Sequence, residues 1–172
     1  MLFKINTLIY RMKVLQLFST SESVDTVIRH MGFDVFDHLD NDFSDWEPGQ
    51  FDIIWASIPK INKSLPFALD VVGEVVLQVL EIIEYFNPKY FVIEGADRFK
   101  DAHYCHGLPS HVVDYLAYDV RCNKHEVVFT NISKWKPKVF LSDGENRIYT
   151  ESDQHIVPDE LVYDILNSIR RN

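Results

Sequence analysis

The apolar positions of the chain form short strand-like runs separated by helical patterns. Four runs have the composition of β-strands: residues 13–18, 33–36, 51–58 and 87–94. Between these runs, apolar side chains recur every three or four residues within 22–31 and 65–86, which predicts two helices that each bury one face. The run at 51–58 is almost continuously apolar, as expected of a strand covered on both faces. The alternation predicts an α/β fold with a mostly parallel sheet flanked by helices.

The last third of the chain has a different pattern. The segments YDVRCN and HEVVFTNI, which begin at Tyr118 and His125, lie too close together for an intervening helix. We expect residues 118–130 to form an antiparallel strand pair that closes the sheet. A final helix is predicted from Pro158 onward, because the proline and the two acidic residues after it suit a first helical turn.

Length and composition indicate one domain. The 172 residues are 47% hydrophobic, which is enough for one sizeable core, so residues 1–172 are interpreted as a single domain. Met12 directly precedes the first strand, and residues 1–11 are therefore interpreted as an N-terminal extension. No apolar stretch has the character of a membrane span or a signal peptide, which predicts a soluble intracellular protein.

Charge and cysteine content narrow the functional classes. The formal net charge of −9, without a basic cluster, argues against specific DNA binding. The two cysteines, Cys105 and Cys122, cannot form a disulfide framework and are typical of a reducing compartment.

Two loops carry residues that could bind a ligand or a partner. The segment HYCHGLPSH contains four side chains of the types that zinc prefers: His103, Cys105, His106 and His111. Their spacing matches no common zinc motif, so a solvated loop with an inward-packed cysteine is the favoured interpretation and no metal is expected. The acidic loop 37–47 is also interpreted as solvated, although Phe43 and Trp46 within it would indicate a protein partner if they were exposed.

Five segments in a fixed order match the motifs of a known enzyme family. They are MKVLQLFSTSESV at 12–24, FDIIWASIPK at 51–60, YFVIEGA at 90–96, VVFTNISKWKPK at 127–138 and IVPDELVYDIL at 156–166. Their order and spacing resemble the cytosine-5 DNA methyltransferases in the small form carried by phages and large DNA viruses. The resemblance implies a Rossmann-like class I methyltransferase fold. At 172 residues the chain is too short for a separate DNA-recognition domain, so none is expected.

The resemblance also implies where a cofactor site would lie. The residues at the positions that line the family's cofactor cleft are Phe18, Ser19, Thr20, Glu22, Asp40 and Ser57. In the family, glycines at the positions of Thr20 and Glu22 let the backbone approach S-adenosylmethionine. Side chains there fill space and disfavour a positive φ, so no cofactor is expected to bind. The acid that binds the ribose hydroxyls in the family falls at Leu39 or Asp40, depending on where a gap is placed, so Asp40 is the candidate for that role.

The catalytic positions follow from the same resemblance. Cytosine-5 methyl transfer requires a thiolate that adds to carbon six, and the family supplies it from a cysteine at the position of Lys60. Glu94 matches the glutamate that protonates or hydrogen-bonds the pyrimidine. The alternative, in which insertions displace the nucleophile to Cys105 or Cys122, is less favoured because neither cysteine follows a strand equivalent to 51–57.

These substitutions predict a catalytically degenerate, methyltransferase-like protein, or pseudoenzyme. Its expected role is to bind another protein or to serve as a structural component, within the particle of a large DNA virus if the viral character of the resemblance holds. The alternative is an active methyltransferase that uses S-adenosylmethionine in the same cleft.

Overall fold

The computed structural model describes six stretches of the chain: residues 10–18, 22–37, 45–58, 68–96, 105–139 and 157–171. The strands within them are β1 (Lys13–Leu17), β2 (Asp34–Asp37), β3 (Ile53–Ser57), β4 (Tyr90–Ala96), β5 (Ser110–Asp114) and β6 (His125–Thr130). The α-helices are α1 (Glu22–His30), α2 (Ala68–Phe86) and α3 (Asp159–Arg170). A short 3-10 turn, Tyr115–Ala117, follows β5.

The strands form one sheet in the order β2-β1-β3-β4-β6-β5. β1 pairs in parallel with both β2 and β3, and β3 pairs in parallel with β4. β6 is antiparallel to β4 and to β5, so it is the reversed strand that closes the sheet. This is the Rossmann-like, mostly parallel arrangement with an antiparallel closing pair that the sequence predicted.

Side-chain alternation along the central strands builds a core on each face of the sheet. On one face, Val14 and Trp55 pack in a cluster with apolar side chains of α1 and α3. On the other face, Leu15 and Ile54 pack in a cluster with the buried valines of α2. Each fully buried aliphatic side chain contributes about 1.5–3 kcal/mol of apolar transfer free energy, which explains why the strand runs are so uniformly apolar.

The closing pair begins earlier in the chain than predicted. Its first strand is Ser110–Asp114, and the segment from Tyr118 that was expected to be a strand is a turn instead. Within this turn, the side chain of Asp119 accepts a hydrogen bond from the backbone N–H of Arg121, and its carbonyl accepts one from the N–H of Cys122. These local bonds occupy backbone groups that a strand ladder would need. The prediction of a strand over YDVRCN was therefore wrong.

Trp46, at the end of the acidic loop, is buried rather than exposed. Its side chain is 8% exposed, and its ring makes edge contacts with Phe51 and Phe86 at centroid distances of 5.1 and 6.4 Å. The suggestion that this tryptophan marks a partner surface is corrected, because its apolar area is already buried in the core on the α2 face. Phe43 lies outside the described residues.

The residues just before β1 are tied to the sheet. The hydroxyl of Tyr10 donates to the carboxylate of Asp52 at 2.7 Å, and the same carboxylate accepts the backbone N–H of Lys13 at 2.8 Å. Residues 1–9 lie outside the described part, so the extension remains a prediction. Among the described helices, none combines the length and apolar character that crossing a membrane requires.

Candidate functional site

The carboxyl ends of β1, β3 and β4 meet at one edge of the sheet. The register aligns Leu17 of β1 with Ala56 of β3, and Ser57 of β3 with Glu94 of β4. The backbone N–H of Ile58 donates to the carbonyl of Glu94 at 2.8 Å, which extends this pairing one residue beyond β3. In open α/β sheets, ligands bind outside the carboxyl ends of the parallel strands, so this edge is the candidate site.

Phe18 turns the chain sharply at the end of β1. Its φ is +57°, in the left-handed region that costs a non-glycine residue about 1–3 kcal/mol. Its half-buried side chain packs against the core on the α2 face. The segment that the resemblance identified as a cofactor loop therefore begins with a strained residue, and such strain occurs often at ligand-binding turns.

Ser57 and Glu94 lie side by side on the sheet face that α1 and α3 cover. Ser57 is two residues beyond Trp55, which belongs to that core, and Glu94 is cross-strand neighbour to Val128 of the same core. Glu94 is only 7% exposed. The hydroxyl oxygen of Ser57 is buried and has no hydrogen-bond partner among the described residues. A carboxylate and a hydroxyl thus lie together at the carboxyl edge of the sheet.

The carboxylate of Glu94 is held from the side by Tyr115. The tyrosine hydroxyl donates to Oε1 of Glu94 at 2.6 Å, and the tyrosine side chain is fully buried. Burial, followed by the negative charge of Glu94 and this hydrogen bond, raises the pKa of Tyr115 well above its usual value of 10. The phenol is therefore neutral across the physiological range and acts as a donor.

Lys124 and Glu126 form an ion pair beside the Tyr115 ring. Nζ of Lys124 is 4.5 Å from the ring centroid and 3.5 Å from Oε1 of Glu126, whose side chain is almost fully buried. Glu126 is cross-strand neighbour to Ala96 on β4 and to Val113 on β5. We refer to Glu94, Tyr115, Lys124 and Glu126 as the polar cluster.

The sequence analysis found only part of this cluster. Glu94 was singled out through its motif, whereas Tyr115 and Glu126 were missed. Glu126 carries a usable signal, since it stands at the start of a run of five residues that are all buried, two residues before Val128 on the same face of β6. Tyr115 carries none, because its contact with Glu94 spans 21 residues and depends on how β5 is placed.

Both cysteines are buried. Cys105 lies in the core on the α2 face, opposite the side chain of Glu94, and burial raises the pKa of its thiol to about 11. Cys122 lies in the core on the α1 and α3 face, where burial and then the charge of Asp119 raise its pKa. Neither thiol has the electropositive, accessible surroundings that produce a reactive thiolate.

The histidine-rich segment shows no metal centre in the described part of the chain. No group of three metal-ligating side chains occurs among the described residues. His111 instead packs edge-on against Trp135 at 5.2 Å, and burial followed by the charge of Lys136 lowers its pKa. His103 lies outside the described residues.

Several of the predicted site residues fall outside the described stretches. These are Ser19, Thr20, Asp40 and Lys60. Glu22 opens α1, but its side chain is likewise outside the described part. The roles assigned to them remain predictions.

No family model matches the chain. A protein of Frog virus 3 (isolate Goorha), described as a probable DNA (cytosine-5)-methyltransferase, is 30% identical over 158 residues, covering 74% of this chain and 74% of the relative. The crystal structure of the S. pombe Dnmt2 methyltransferase aligns with a TM-score of 0.44 and 10% identity over 70% of this chain. The present chain spans about half of that structure, 48% of its length.

Proposed function

The chain belongs to the DNA (cytosine-5)-methyltransferase family, and from this membership we propose that it is a degenerate member that acts by binding another protein. Its core and sheet follow the family's α/β plan, while the chemistry at the carboxyl edge of the sheet is altered. A fold persists when hydrophobic pattern and volume are kept, whatever happens to residues in a surface cleft.

The observation that supports the proposal most directly is that both thiols are buried and have a raised pKa. Cys105 and Cys122 are the only cysteines in the chain, and both are buried with a raised pKa. With a pKa of about 11, roughly one Cys105 in ten thousand is a thiolate at pH 7. The family's nucleophile position holds Lys60, and an ammonium group has no lone pair for addition to carbon six of cytosine.

The proposal also includes loss of the cofactor. Membership of this family implies that the cofactor would be S-adenosylmethionine. However, Thr20 and Glu22 stand where the family has glycines. By the family resemblance, a carboxylate at position 22 would add a negative charge near the carboxylate end of the cofactor's methionine moiety. We therefore expect S-adenosylmethionine to bind weakly or not at all.

The partner is proposed to be a protein rather than DNA. A formal charge of −9 repels a polyanion, which supports the absence of specific DNA binding. The frog-virus source of the relative is the support for a role as a structural component of a large DNA virus particle.

Isothermal titration with S-adenosylmethionine and with its demethylated product tests the cofactor part of the proposal. We expect no saturable binding up to millimolar ligand. A dissociation constant in the low micromolar range would overturn the degenerate interpretation and favour the active methyltransferase, whose retained Glu94 and buried Ser57 hydroxyl are the observations in its favour.

A methyl-transfer assay on cytosine-containing duplex DNA tests the catalytic part. Wild-type protein is compared with Lys60→Cys, which restores a thiol at the family's nucleophile position. We expect both proteins to be inactive, because the cofactor loop is altered in each. Activity of Lys60→Cys alone would confine the defect to the nucleophile and contradict the proposed loss of cofactor binding, and activity of the wild type would refute the proposal as a whole.

The binding role is tested with the tagged chain purified from the cells that produce it. A stoichiometric protein complex is expected by size-exclusion chromatography with mass spectrometry. Recovery as a monomer that methylates DNA would contradict this part.

A further inference from the structure

The polar cluster joins three segments that are distant in sequence. Glu94 comes from β4 and Tyr115 from the 3-10 turn after β5, while Lys124 directly precedes β6 and Glu126 lies within it. The backbone N–H of Tyr115 also donates to the carbonyl of Lys124 at 3.0 Å, which fixes the turn beside the start of β6. This backbone hydrogen bond helps to place the Tyr115 side chain next to Glu94 near the end of β4.

The hydrogen bond between Tyr115 and Glu94 has the geometry of a strong, charge-assisted bond. An O–H···O⁻ distance of 2.5–2.7 Å is typical when the acceptor is ionised, and the observed distance is 2.6 Å. Because the tyrosine is fully buried, the bond is shielded from water and is correspondingly stronger than at the surface.

Lys124 and Glu126 brace the tyrosine ring. The ammonium group of Lys124 lies 4.5 Å from the ring centroid, within the range of a cation–π contact. Its position is set in turn by Glu126, whose Oε1 is 3.5 Å away. The ring therefore cannot swing away from Glu94 without disturbing a buried ion pair.

From this geometry we infer that Tyr115, braced by Lys124 and Glu126, is a positioning residue that holds the carboxylate of Glu94 at the carboxyl edge of the sheet as a hydrogen-bond acceptor. The inference concerns the support of the site and does not depend on whether methyl transfer occurs. A member of the family that has lost its nucleophile thereby keeps an ordered acceptor at the end of β4.

Several ionisable groups around the polar cluster act electrostatically on Tyr115. Within the described part of the chain, Glu126 and Cys122 act electrostatically on Tyr115 in addition to Glu94, and Lys124 is the nearby cation. Lys124 also lowers the pKa of Cys122 in opposition to burial. A test must therefore change the hydroxyl of Tyr115 without altering any formal charge.

Tyr115→Phe makes that change, and the titration of Glu94 reports its effect. Carboxyl carbons of ¹³C-glutamate-labelled protein are followed by NMR across pH, and Glu94→Gln identifies the signal. Loss of the donated hydrogen bond destabilises the ionised form, so we expect the proton affinity of Glu94 to rise about tenfold. The matched control is Tyr118→Phe, which removes a buried hydroxyl that donates to Asp164 instead and should leave Glu94 unchanged.

Lys124→Met is the second variant and keeps the test decisive if Tyr115→Phe does not fold. Because it removes a formal charge as well as the contact with the ring, it is compared with Lys124→Arg, which keeps the charge. The Glu94 titration should shift in Lys124→Met in the same direction as in Tyr115→Phe, by a smaller factor. A Glu94 titration that is unchanged in the folded variants, or that shifts equally in Tyr118→Phe, would overturn the positioning role. Since no cofactor or DNA is present in this experiment, its failure is distinguishable from failure of the proposed function.

Discussion

Tyr118 fastens the C-terminal helix to the rest of the protein, and replacing it with phenylalanine tests how much that attachment contributes. Its hydroxyl donates to Oδ2 of Asp164 on α3 at 3.1 Å and accepts the backbone N–H of Lys138 at 2.8 Å. The same Asp164 oxygen also accepts the indole N–H of Trp135 at 3.1 Å. Three segments of the chain therefore meet at this hydroxyl and this carboxylate.

Tyr118→Phe removes two hydrogen bonds while keeping the ring. Each bond has a net contribution of about 0.5–1.5 kcal/mol, and Asp164 retains its bond from Trp135, so we expect a loss of about 2 kcal/mol in the free energy of unfolding. For a chain of this length, that corresponds to a decrease of about 4–8 °C in melting temperature. Urea denaturation followed by circular dichroism measures the free energy.

The matched control for this prediction is Tyr163→Phe. Tyr163 is a partly buried tyrosine on α3, and its hydroxyl makes no hydrogen bond among the described residues. We expect the control to change stability by less than about 0.5 kcal/mol. If Tyr118→Phe and Tyr163→Phe were equally stable, the hydroxyl network would not attach α3 and the argument would be refuted.

Two further predictions concern Cys105 and the buried ion pair. Burial raises the pKa of Cys105 from 9.0 to about 11, so the unfolded chain releases this proton first and the wild type loses stability as pH rises from about 9 to about 11. The stability difference between wild type and Cys105→Ala should therefore shrink between pH 8 and pH 10.5, and a constant difference in urea titrations would count against it. Lys124→Met and Glu126→Gln should each cost about 2–3 kcal/mol, with the double variant less destabilised than their sum; additive losses in this double-mutant cycle would show that the pair is not coupled.

Most elements of the fold could be predicted from the sequence because they are encoded locally. Residues 13–18 and 51–58 are apolar over the length of one buried strand, and the structure has β1 and β3 there. The helical spacing in 22–31 and the first-turn chemistry after Pro158 correspond to α1 and α3. Such periodicity reflects which face of an element is buried, and this information is contained in neighbouring residues.

Prediction from local sequence failed where a strand's pairing partner, or the side chains that bury a residue, could not be inferred from its neighbours in the chain. Residues 110–114 and the segment from Tyr118 are similarly mixed in composition, and only pairing with β6 selects the former as a strand. Trp46 resembled a surface anchor within an acidic loop, yet Phe51 and Phe86 bury it.

The candidate site likewise combines residues that motifs could identify with contacts that only the tertiary structure determined. The family resemblance singled out Glu94 and predicted that Lys60 stands at the position of the nucleophilic cysteine, because motifs preserve order and spacing along the chain. The hydrogen bond from Tyr115 and the bracing by Lys124 and Glu126 were decided only by the tertiary structure, since the antiparallel β6 brings the start of its strand beside the end of β4. Contacts between residues far apart in sequence depend on strand order and register, and no local pattern specifies these.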